Sequence, residues 1–527
     1  MMQPSTFEEY RLKMQAEIDG KKTSAEKNVM GQFATPTALA HDIIAVAESL
    51  LPRCAKVSFL DPAFGTGSFY SALLDIFSKS RVEKAEGFEI DPRYGEPARS
   101  FWKSQGIGIQ IADFTKTFPP KNEEGKFNLV ICNPPYVRHH HIKEKEKVRL
   151  QKRIAERFGI RLSGLAGLYC YFLMLSVDWM SRDGIAGWLI PSEFMDVNYG
   201  RQLKKFLLEK VTLLHIHRFD PIKVQFGDAL VSSAVVWFRN TSPPIKYSVE
   251  FSFDGSLTTP CLMKSIPKET LEKESKWTRF PASKARENIH SAVLADFFKI
   301  KRGLATGDNG FFILSMEQIA KRNLPMECFK PILPSPRFLM VDEIPHREDG
   351  VPEISNKLFL LDCQLSEKEI RELYPSLWEY LLEGKKKKVT EAYLCQNRKP
   401  WYLQEERPPS PFICTYIGRS DNGNRRPFRF ILNHSKATVT NSYLVMYPKP
   451  TVDQAIMDNP RLVHEIWEAL KTIPTATMLE EGRVYGGGLH KIEPRELGNV
   501  PAESLSRIMS KMVHNTKMSP LQLTVAF

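Results

Sequence analysis

Apolar and polar stretches alternate in a regular order between about residue 55 and residue 240. Short apolar runs, typical of buried strands, are followed by segments in which apolar residues recur with a helical period. In chain order the strand-like runs are KVSFLD, KAEGFEID, IGIQIADF, FNLVIC, GIAGWLIP, VTLLHIHRF and LVSSAVVWF. This order predicts a three-layer α/β domain, with helices on both faces of a seven-stranded, mostly parallel sheet that ends in an antiparallel pair.

The rest of the chain is less regular. Residues 246–290 show no sustained period, which predicts a linker or a small irregular module. Residues 291–527 mix the helical PSLWEYLLEGKKKK with the β-like stretches PFICTYIG, PFRFILN and SYLVMYP. This mixture predicts a second domain of α+β type, and we assign the first domain to residues 1–245.

Composition narrows the class of protein. The chain has 527 residues, of which 42% are hydrophobic, enough to fill globular cores. Lys and Arg outnumber Asp and Glu by 73 to 61, and the net charge of +12 is compatible with a polyanionic partner without requiring one. The eight cysteines show no CxxC spacing, which argues against a zinc ribbon and a disulfide framework and favours reduced thiols in the cytoplasm. The most apolar helical stretch, Leu168 to Met180, is too short to span a bilayer, so no membrane partner is expected.

The loops after the predicted strands carry the candidate chemistry. Right-handed crossovers place all loops that follow parallel strands at one edge of the sheet, so their special residues can form one site. After the first strand, the stretch from Asp61 to Gly67 contains glycines that let a ligand approach the backbone. Tyr70 stands where a dinucleotide-binding loop has its third glycine, which weakens a dinucleotide reading.

The next two loops predict a nucleoside ligand. Glu89 ends the second strand, where a carboxylate accepts hydrogen bonds from a ribose diol. Asp113 and Phe114 follow the third strand and offer an acceptor for an adenine amino group and a ring to lie against the base. Because no phosphate-binding lysine signature is present, S-adenosylmethionine fits these loops better than a dinucleotide or ATP.

The fourth strand ends in Asn133-Pro134-Pro135-Tyr136. The Asn133 side-chain oxygen and a carbonyl oxygen beside proline are two acceptors with few competing donors, because proline has no N–H. Together they could hold both hydrogens of an exocyclic amino group on a nucleobase and so favour the electron-rich form that attacks a methyl sulfonium. Tyr136 could stack on that base.

The ordered stretches GQFATP, DPAFGTGSF, FEID, ADF and NPPY resemble the gamma-class DNA adenine-N6 methyltransferases of bacterial restriction–modification systems. The resemblance implies a Rossmann-like methyltransferase domain over residues 1–245 and a target recognition domain over residues 291–527. It implies that Thr35 contacts the methionine moiety of S-adenosylmethionine, that Phe172 contacts its adenine, and that Phe226 stacks on the target base with Tyr136. The family's proline after Phe226 is replaced here by Gly227. The full set of implied cofactor-binding residues is Phe33, Thr35, Asp61, Ala63, Gly65, Gly67, Glu89, Ile90, Asp113, Phe114, Asn133 and Phe172.

The resemblance also implies a function. The protein would transfer a methyl group from S-adenosylmethionine to N6 of an adenine flipped out of a specific duplex DNA sequence, and so protect DNA in a restriction–modification system. Its partners would be double-stranded DNA and, in such a system, a cognate restriction endonuclease encoded separately. Cations among aromatic rings in the second domain are candidate DNA contacts: Arg398, Lys399, Arg425, Arg426 and Arg429. His139-His140-His141 reads as a basic loop facing DNA rather than a metal site, since adjacent residues rarely bind one ion together, and we predict no metal.

Two other functions remain open from the sequence. One is methylation of an RNA base or of a protein glutamine amide, because NPPY-type loops also serve those planar substrates. The other is a catalytically inactive, DNA-binding specificity component that keeps the fold. The intact Asn133-Pro134-Pro135-Tyr136 stretch speaks against the second, and the long C-terminal part favours DNA over the first.

Overall fold

The computed structural model describes residues 4–221, 223, 225–226, 232–282, 292–419, 426–485 and 487–515. The chain forms two compact units. The first comprises Met1–Glu287 with Tyr485–Gly487, and the second comprises Asn288–Val484 with Gly488–Phe527.

The first unit is an α/β structure. Its described strands are β1 (Val57–Asp61), β2 (Val82–Glu89), β3 (Gly108–Ile111), β4 (Phe127–Cys132), β5 (Met180–Pro191), β6 (Thr212–Arg218), β7 (Ser233–Arg239), β8 (Ser248–Gly255) and β9 (Pro260–Pro267). Its described helices are α1 (Pro4–Asp19), α2 (Ser24–Met30), α3 (Thr37–Leu50), α4 (Ser68–Ile76), α5 (Pro92–Trp102), α6 (Glu144–Phe158), α7 (Leu168–Ser176), α8 (Gly200–Glu209) and α9 (Lys268–Lys273).

One sheet runs through this unit in the order β3-β2-β1-β4-β5-β7-β6-β8-β9. The five strands from β3 to β5 are parallel, and β7 is antiparallel to both β5 and β6. The first seven strands therefore confirm the predicted mostly parallel sheet with its antiparallel end. As expected for such a sheet, β1, β2, β3 and β4 all end at the same edge, and their loops form the site described below.

Both faces of the sheet are covered by helices. Phe59 and Leu60, adjacent on β1, point to opposite faces and are fully buried in two separate cores. The core around Leu60 includes side chains of α6, α7 and α8, and the core around Phe59 includes side chains of α3, α4 and α5. Strands buried on both faces need continuous apolar runs, which explains why the sequence pattern revealed them.

The prediction of a linker or irregular module over residues 246–290 is wrong for its described part. β8 pairs in parallel with β6, and β9 pairs antiparallel with β8, so this segment extends the sheet from seven strands to nine. Val249 and Phe251 alternate with the exposed Glu250, and Asp254-Gly255 takes positive φ values of 54° and 75° at the turn. Alternation followed by Asp-Gly is a hairpin signal that the sequence reasoning overlooked.

The second unit is of α+β type. Its described strands are β10 (Phe298–Arg302), β11 (Ile313–Ser315), β12 (Phe329–Ile332), β13 (Glu343–Ile344), β14 (Leu358–Leu361), β15 (Phe412–Thr415), β16 (Ile417–Arg419), β17 (Phe430–Asn433), β18 (Tyr443–Pro448), β19 (Arg483–Tyr485, of which Tyr485 is counted with the first unit) and β20 (Leu489–Lys491). Its described helices are α10 (Leu294–Phe297), α11 (Asn309–Phe312), α12 (Met316–Lys321), α13 (Glu367–Leu373), α14 (Pro375–Lys386), α15 (Tyr393–Gln396), α16 (Pro450–Asp458), α17 (Leu462–Lys471), α18 (Thr475–Glu481), α19 (Pro494–Gly498) and α20 (Glu503–Asn515).

The strands of this unit form three small sheets, in the orders β10-β18-β15-β17-β13, β11-β14-β12 and β16-β20-β19. The stretches predicted as β-like lie in β15 to β18, and PSLWEYLLEGKKKK forms α14. None of the helices in the described ranges has both the length and the apolar character needed to cross a membrane.

Candidate active site

A cavity of about 390 Å³ lies at the carboxyl edge of the sheet in the first unit. The loops that follow β1, β2, β3 and β4 contribute to its wall, as the crossover rule predicts. Ten residues predicted for the site line it: Phe33, Ala63, Gly65, Glu89, Ile90, Asp113, Phe114, Asn133, Pro135 and Phe172. Its volume falls within the range of small-ligand pockets.

Two backbone N–H groups, from different loops, hold the Glu89 carboxylate in place. Its Oε1 accepts a hydrogen bond from the Asp91 N–H at 2.8 Å, and its Oε2 accepts one from the Gly65 N–H at 2.9 Å. Burial raises the pKa of Glu89, and these two donors oppose the rise. Each carboxylate oxygen keeps a further lone pair, so the group can accept a pair of hydroxyl donors from the cavity.

Asp113 and two phenylalanines form another part of the wall. Asp113 Oδ1 accepts hydrogen bonds from the N–H and the hydroxyl of Thr115, which leaves Oδ2 near Lys116 at 3.6 Å. The ring of Phe114 lies 5.5 Å from that of Phe172. An acceptor beside two aromatic rings suits a flat, amino-bearing heterocycle.

Asn133 is fixed by both hydrogens of its side-chain amide. Nδ2 donates to the Phe33 carbonyl oxygen at 2.9 Å and to the Thr35 hydroxyl oxygen at 3.1 Å. Within the described ranges no protein hydrogen bond is made to Oδ1. The amide therefore presents its oxygen as the remaining acceptor, at a residue that lines the cavity.

The stretch GQFATP docks onto the NPPY loop through its backbone as well. The Tyr136 N–H donates to the Gly31 carbonyl oxygen at 3.0 Å. Gly31 has a φ of 63°, and a Cβ atom there would lie 2.4 Å from the Tyr136 nitrogen. Glycine is therefore required at this position both for its conformation and for this close approach.

Three aromatic rings cluster beside the NPPY loop. Phe33 lies 5.8 Å from Tyr136, and Phe226 lies 5.9 Å from each of them. The Tyr136 hydroxyl donates to the Leu189 carbonyl oxygen at 3.1 Å, and Tyr136 and Phe226 are both buried. The prediction that Phe226, remote in sequence, lies with Tyr136 agrees with this placement, and Gly227 lies outside the described residues.

Some residues predicted to bind the cofactor lie behind the cavity wall. Thr35 is buried beneath Asn133, where its hydroxyl accepts an amide hydrogen, so it lies against the NPPY loop rather than in the cavity lining. Asp61 caps the turn of its own loop by accepting from the Ala63 N–H, and burial, with a smaller effect from the Glu89 charge, raises the pKa of Asp61 to about 8. Gly67 packs against Trp102, where a Cβ would lie 2.6 Å from the indole nitrogen. Pro134 and Tyr136 are buried and likewise do not line the cavity.

The N-terminal helices also line the cavity, which the sequence reasoning missed. Gln15 and Asp19 of α1, and Met30 of α2, belong to its wall. The buried Lys22 joins this segment to the sheet, since its Nζ donates to Gln32 Oε1 and Asp91 Oδ2, each at 2.6 Å. Burial opposes ionisation of Asp91, but hydrogen bonds from Arg93 and Lys22 outweigh it and lower its pKa. Because Lys22 and Asp91 are far apart in the chain, the residues around Lys22 do not indicate this ion pair.

Charged residues at the cavity were missed too. Lys27, Lys116, Lys143 and Glu146 line it, together with His141 of the three-histidine stretch. The three-histidine stretch was predicted to be a basic loop that faces DNA. In the structure His141 lines the cavity instead. No group of His, Cys, Asp and Glu side chains in the described ranges could hold a metal ion.

The cations predicted to contact DNA differ in what they do in the second unit. Arg398 donates to the carbonyl oxygens of Ala305 and Thr306, and Arg429 donates to three loop carbonyls and pairs with Asp342. The N–H groups of these two arginines are thus engaged in hydrogen bonds within the unit. Their prediction as phosphate contacts did not take these bonds into account. Lys399 and Arg426 are exposed, and Arg425 lies outside the described residues.

The fold class follows from this sheet. A mostly parallel sheet with helices on both faces, whose carboxyl-edge loops enclose a cavity, is a Rossmann-like fold of the methyltransferase type. The solved structure of the type IIL restriction–modification enzyme MmeI in complex with DNA has this likeness, with a TM-score of 0.50 at 14% identity, over 99% of this chain and 77% of that chain.

Two family models and several relatives match the chain. The model described as Eco57I restriction-modification methylase matches residues 81–224, and the model of the C-terminal domain of type II methyltransferase M.Eco57I matches residues 276–521. Type II methyltransferase M.AccI of Acinetobacter calcoaceticus is 26% identical over 88% of this chain and 84% of its own length. Type II methyltransferase M.XamI of Xanthomonas campestris pv. amaranthicola is 28% identical over 87% and 83%. Over most of its length the chain is therefore similar to type II restriction–modification methyltransferases.

Proposed function

We propose that the protein transfers the methyl group of S-adenosylmethionine to N6 of an adenine that is flipped out of a specific duplex DNA sequence, and so protects that sequence in a restriction–modification system. One observation supports this most. Both amide hydrogens of Asn133 are engaged by Phe33 and Thr35, so its oxygen is turned to accept. An acceptor fixed in this way suits an amino group as the methyl-receiving atom.

The cavity residues fit S-adenosylmethionine. Glu89 would accept the two ribose hydroxyls, since each of its oxygens has only one backbone partner. Asp113 Oδ2 would accept from the adenine amino group, and Phe114 and Phe172 would flank the ring. When bound, this cofactor supplies a methyl group on a positively charged sulfur.

The NPPY loop would prepare the attacking nitrogen. Asn133 Oδ1 and the Pro134 carbonyl oxygen would each accept one hydrogen of the N6 amino group. These two hydrogen bonds would reduce delocalisation of the N6 lone pair into the ring and direct that lone pair at the methyl carbon. The nitrogen would gain the methyl group while the C–S bonding pair would stay on sulfur, and the methylated amino group would then lose a proton to water. The loop positions and polarises the amine, and a strong general base is not needed.

The aromatic cluster would hold the flipped base. Tyr136 and Phe226 stand nearly perpendicular, at 84°, with their centroids 5.9 Å apart, so a base stacked between them requires Phe226 to move aside. Unstacking and unpairing the target costs a few kcal/mol. Stacking on aromatic rings, at roughly 1–3 kcal/mol per base, offsets much of that cost.

Tritiated S-adenosylmethionine tests the proposal. The purified protein is incubated separately with unmethylated duplex DNA, total RNA and a glutamine-containing protein extract, and the labelled DNA is digested to nucleosides. We expect label in duplex DNA as N6-methyladenine. Label confined to RNA or protein, or to cytosine, would refute the assigned substrate.

The variant Asn133→Ala tests the mechanism. It should lose turnover while its dissociation constant for S-adenosylmethionine stays within a few-fold of the parent value. Asn122→Ala serves as a control, because Asn122 is an exposed asparagine that does not line the cavity. Retained turnover in Asn133→Ala would show that another group holds the amine.

A further inference from the structure

Residues 335–342 of the second unit, between β12 and β13, form a loop with exposed apolar side chains, which we call the wedge loop. Phe338, Met340 and Val341 are 55%, 76% and 45% exposed, whereas Leu339 between them is 2% exposed and anchors the loop in a core. Three large apolar side chains in solvent on one short loop mark a surface that another molecule covers.

The wedge loop is held firmly. Arg429 donates to the carbonyl oxygens of Leu339 at 2.8 Å and Val341 at 2.9 Å, and its Nε donates to Asp342 Oδ1 at 2.7 Å. Tyr443 and Leu432 hold its ends. The Tyr443 hydroxyl donates to the Pro334 carbonyl oxygen at 2.6 Å, and the Leu432 N–H donates to the Asp342 carbonyl oxygen at 2.8 Å. The exposed side chains therefore project from a fixed frame, which reduces the entropy lost when they insert into a partner.

The charges around the wedge loop favour a polyanion. The Arg337 guanidinium lies 4.7 Å from the centre of the Phe338 ring. A cavity of about 170 Å³ is lined by Asp342 of the loop, by Arg429, which holds the loop, and by Arg426 and Lys471. Arg426 is exposed and uses one of its nitrogens to donate to the Lys471 carbonyl oxygen at 2.8 Å. Asp342, the acidic member, is paired with Arg429. Cations beside exposed apolar side chains match a partner that has phosphates next to stackable rings.

We propose that the wedge loop contacts duplex DNA, with Phe338 and Met340 inserting between base pairs while Arg337 and Arg426 contact phosphates. Phenylalanine and methionine are residue types that DNA-bending proteins insert between base steps, and the unstacking is offset by added contact area. This inference rests on the proposed function, because it takes duplex DNA as the substrate.

The double variant Phe338→Ser/Met340→Ser tests the wedge. Both side chains are exposed, so the fold should be retained, as checked by an unchanged melting temperature and an unchanged dissociation constant for S-adenosylmethionine. With unmethylated bacteriophage DNA as the probe, we expect kcat/KM for DNA and the equilibrium affinity for DNA to fall by about tenfold or more. The slope of log affinity against log salt should stay constant, whereas Arg426→Ala should make it shallower by about one. Met457→Ser, at a position on α16 that is 68% exposed, is the matched control and should change none of these quantities.

The outcomes separate this inference from the proposed function. Values for the double variant within twofold of the parent in both kcat/KM and affinity would overturn the wedge. If the parent protein binds the DNA but transfers no methyl group to it, the proposed function fails, and the affinity comparison still decides the wedge. If the parent protein does not bind duplex DNA at all, both proposals fall.

Discussion

The hydroxyl oxygen of Thr35 lies 3.1 Å from Nδ2 of Asn133, although the two residues are 98 positions apart in the chain. This hydrogen bond, with the one from the same nitrogen to Phe33, leaves the oxygen of the Asn133 amide as its remaining acceptor. In the proposed mechanism Thr35 is therefore a positioning residue for the NPPY loop.

Thr35→Val should lower kcat about tenfold and leave the dissociation constant for S-adenosylmethionine within twofold. Valine has the shape of threonine without the acceptor, so one amide hydrogen loses its partner and the amide can turn. Thr35→Ser keeps the hydroxyl and should retain most of kcat. A weaker cofactor affinity with an unchanged kcat would instead support the methionine contact that the family resemblance implies.

Glu89→Gln should weaken S-adenosylmethionine binding about tenfold or more, measured by isothermal titration calorimetry. The two backbone N–H groups of Gly65 and Asp91 need acceptors, and a glutamine amide offers them only one oxygen. Glu86→Gln, a partly exposed position on the same strand, is the control. Equal affinities for the two variants would remove Glu89 from the cofactor site.

Acid should destabilise the first unit through two buried histidines. His215 Nε2 and His217 Nδ1 both share the Ser252 hydroxyl, at 2.6 and 2.8 Å, and burial lowers the pKa of each ring to about 4. Because each folded pKa lies below the ordinary value of 6.5, the unfolded chain binds protons that the folded chain does not, and stability is lost as the pH falls from about 6.5 towards 4. Each ring should contribute a loss of about 2 kcal/mol between pH 7 and pH 5.

Urea denaturation at pH 7 and pH 5 measures this loss. In the double variant His215→Asn/His217→Asn the unfolding free energy should change much less between the two pH values than in the parent. The exposed His346 provides the control variant His346→Asn, which should keep the parent's pH dependence. A double variant that loses as much stability as the parent would show that other groups cause the acid sensitivity.

The central sheet and much of the site could be predicted because they depend on the local sequence pattern and on the topology of a parallel sheet. Strands buried on both faces, such as β1 and β4, need unbroken apolar runs, and parallel strands bring their final loops to one edge. Glu89, Asp113 and Asn133 line one cavity for that reason.

What the sequence did not reveal depends on partners that are far apart in the chain. The buried pair Lys22–Asp91 brings the N-terminal helices to the cavity, and nothing in the residues around Lys22 indicates it. The runs of basic residues did not reveal which cations are available to DNA. Arg398 and Arg429, for example, donate hydrogen bonds to carbonyl oxygens of their own unit. The hairpin of β8 and β9 is different, because its signal was present at Asp254-Gly255 and was overlooked.

The segment from Gly31 to Thr35 lies between the cavity and the NPPY loop and contacts both. Gly31 and Phe33 line the cavity proposed for the cofactor, and the same residues hold Tyr136 and Asn133 by hydrogen bonds. If the proposed sites are correct, a shift of this segment that accommodates one substrate would also move residues at the site of the other. Thermodynamic reciprocity then requires that whatever the cofactor does to the affinity for DNA, DNA does equally to the affinity for the cofactor.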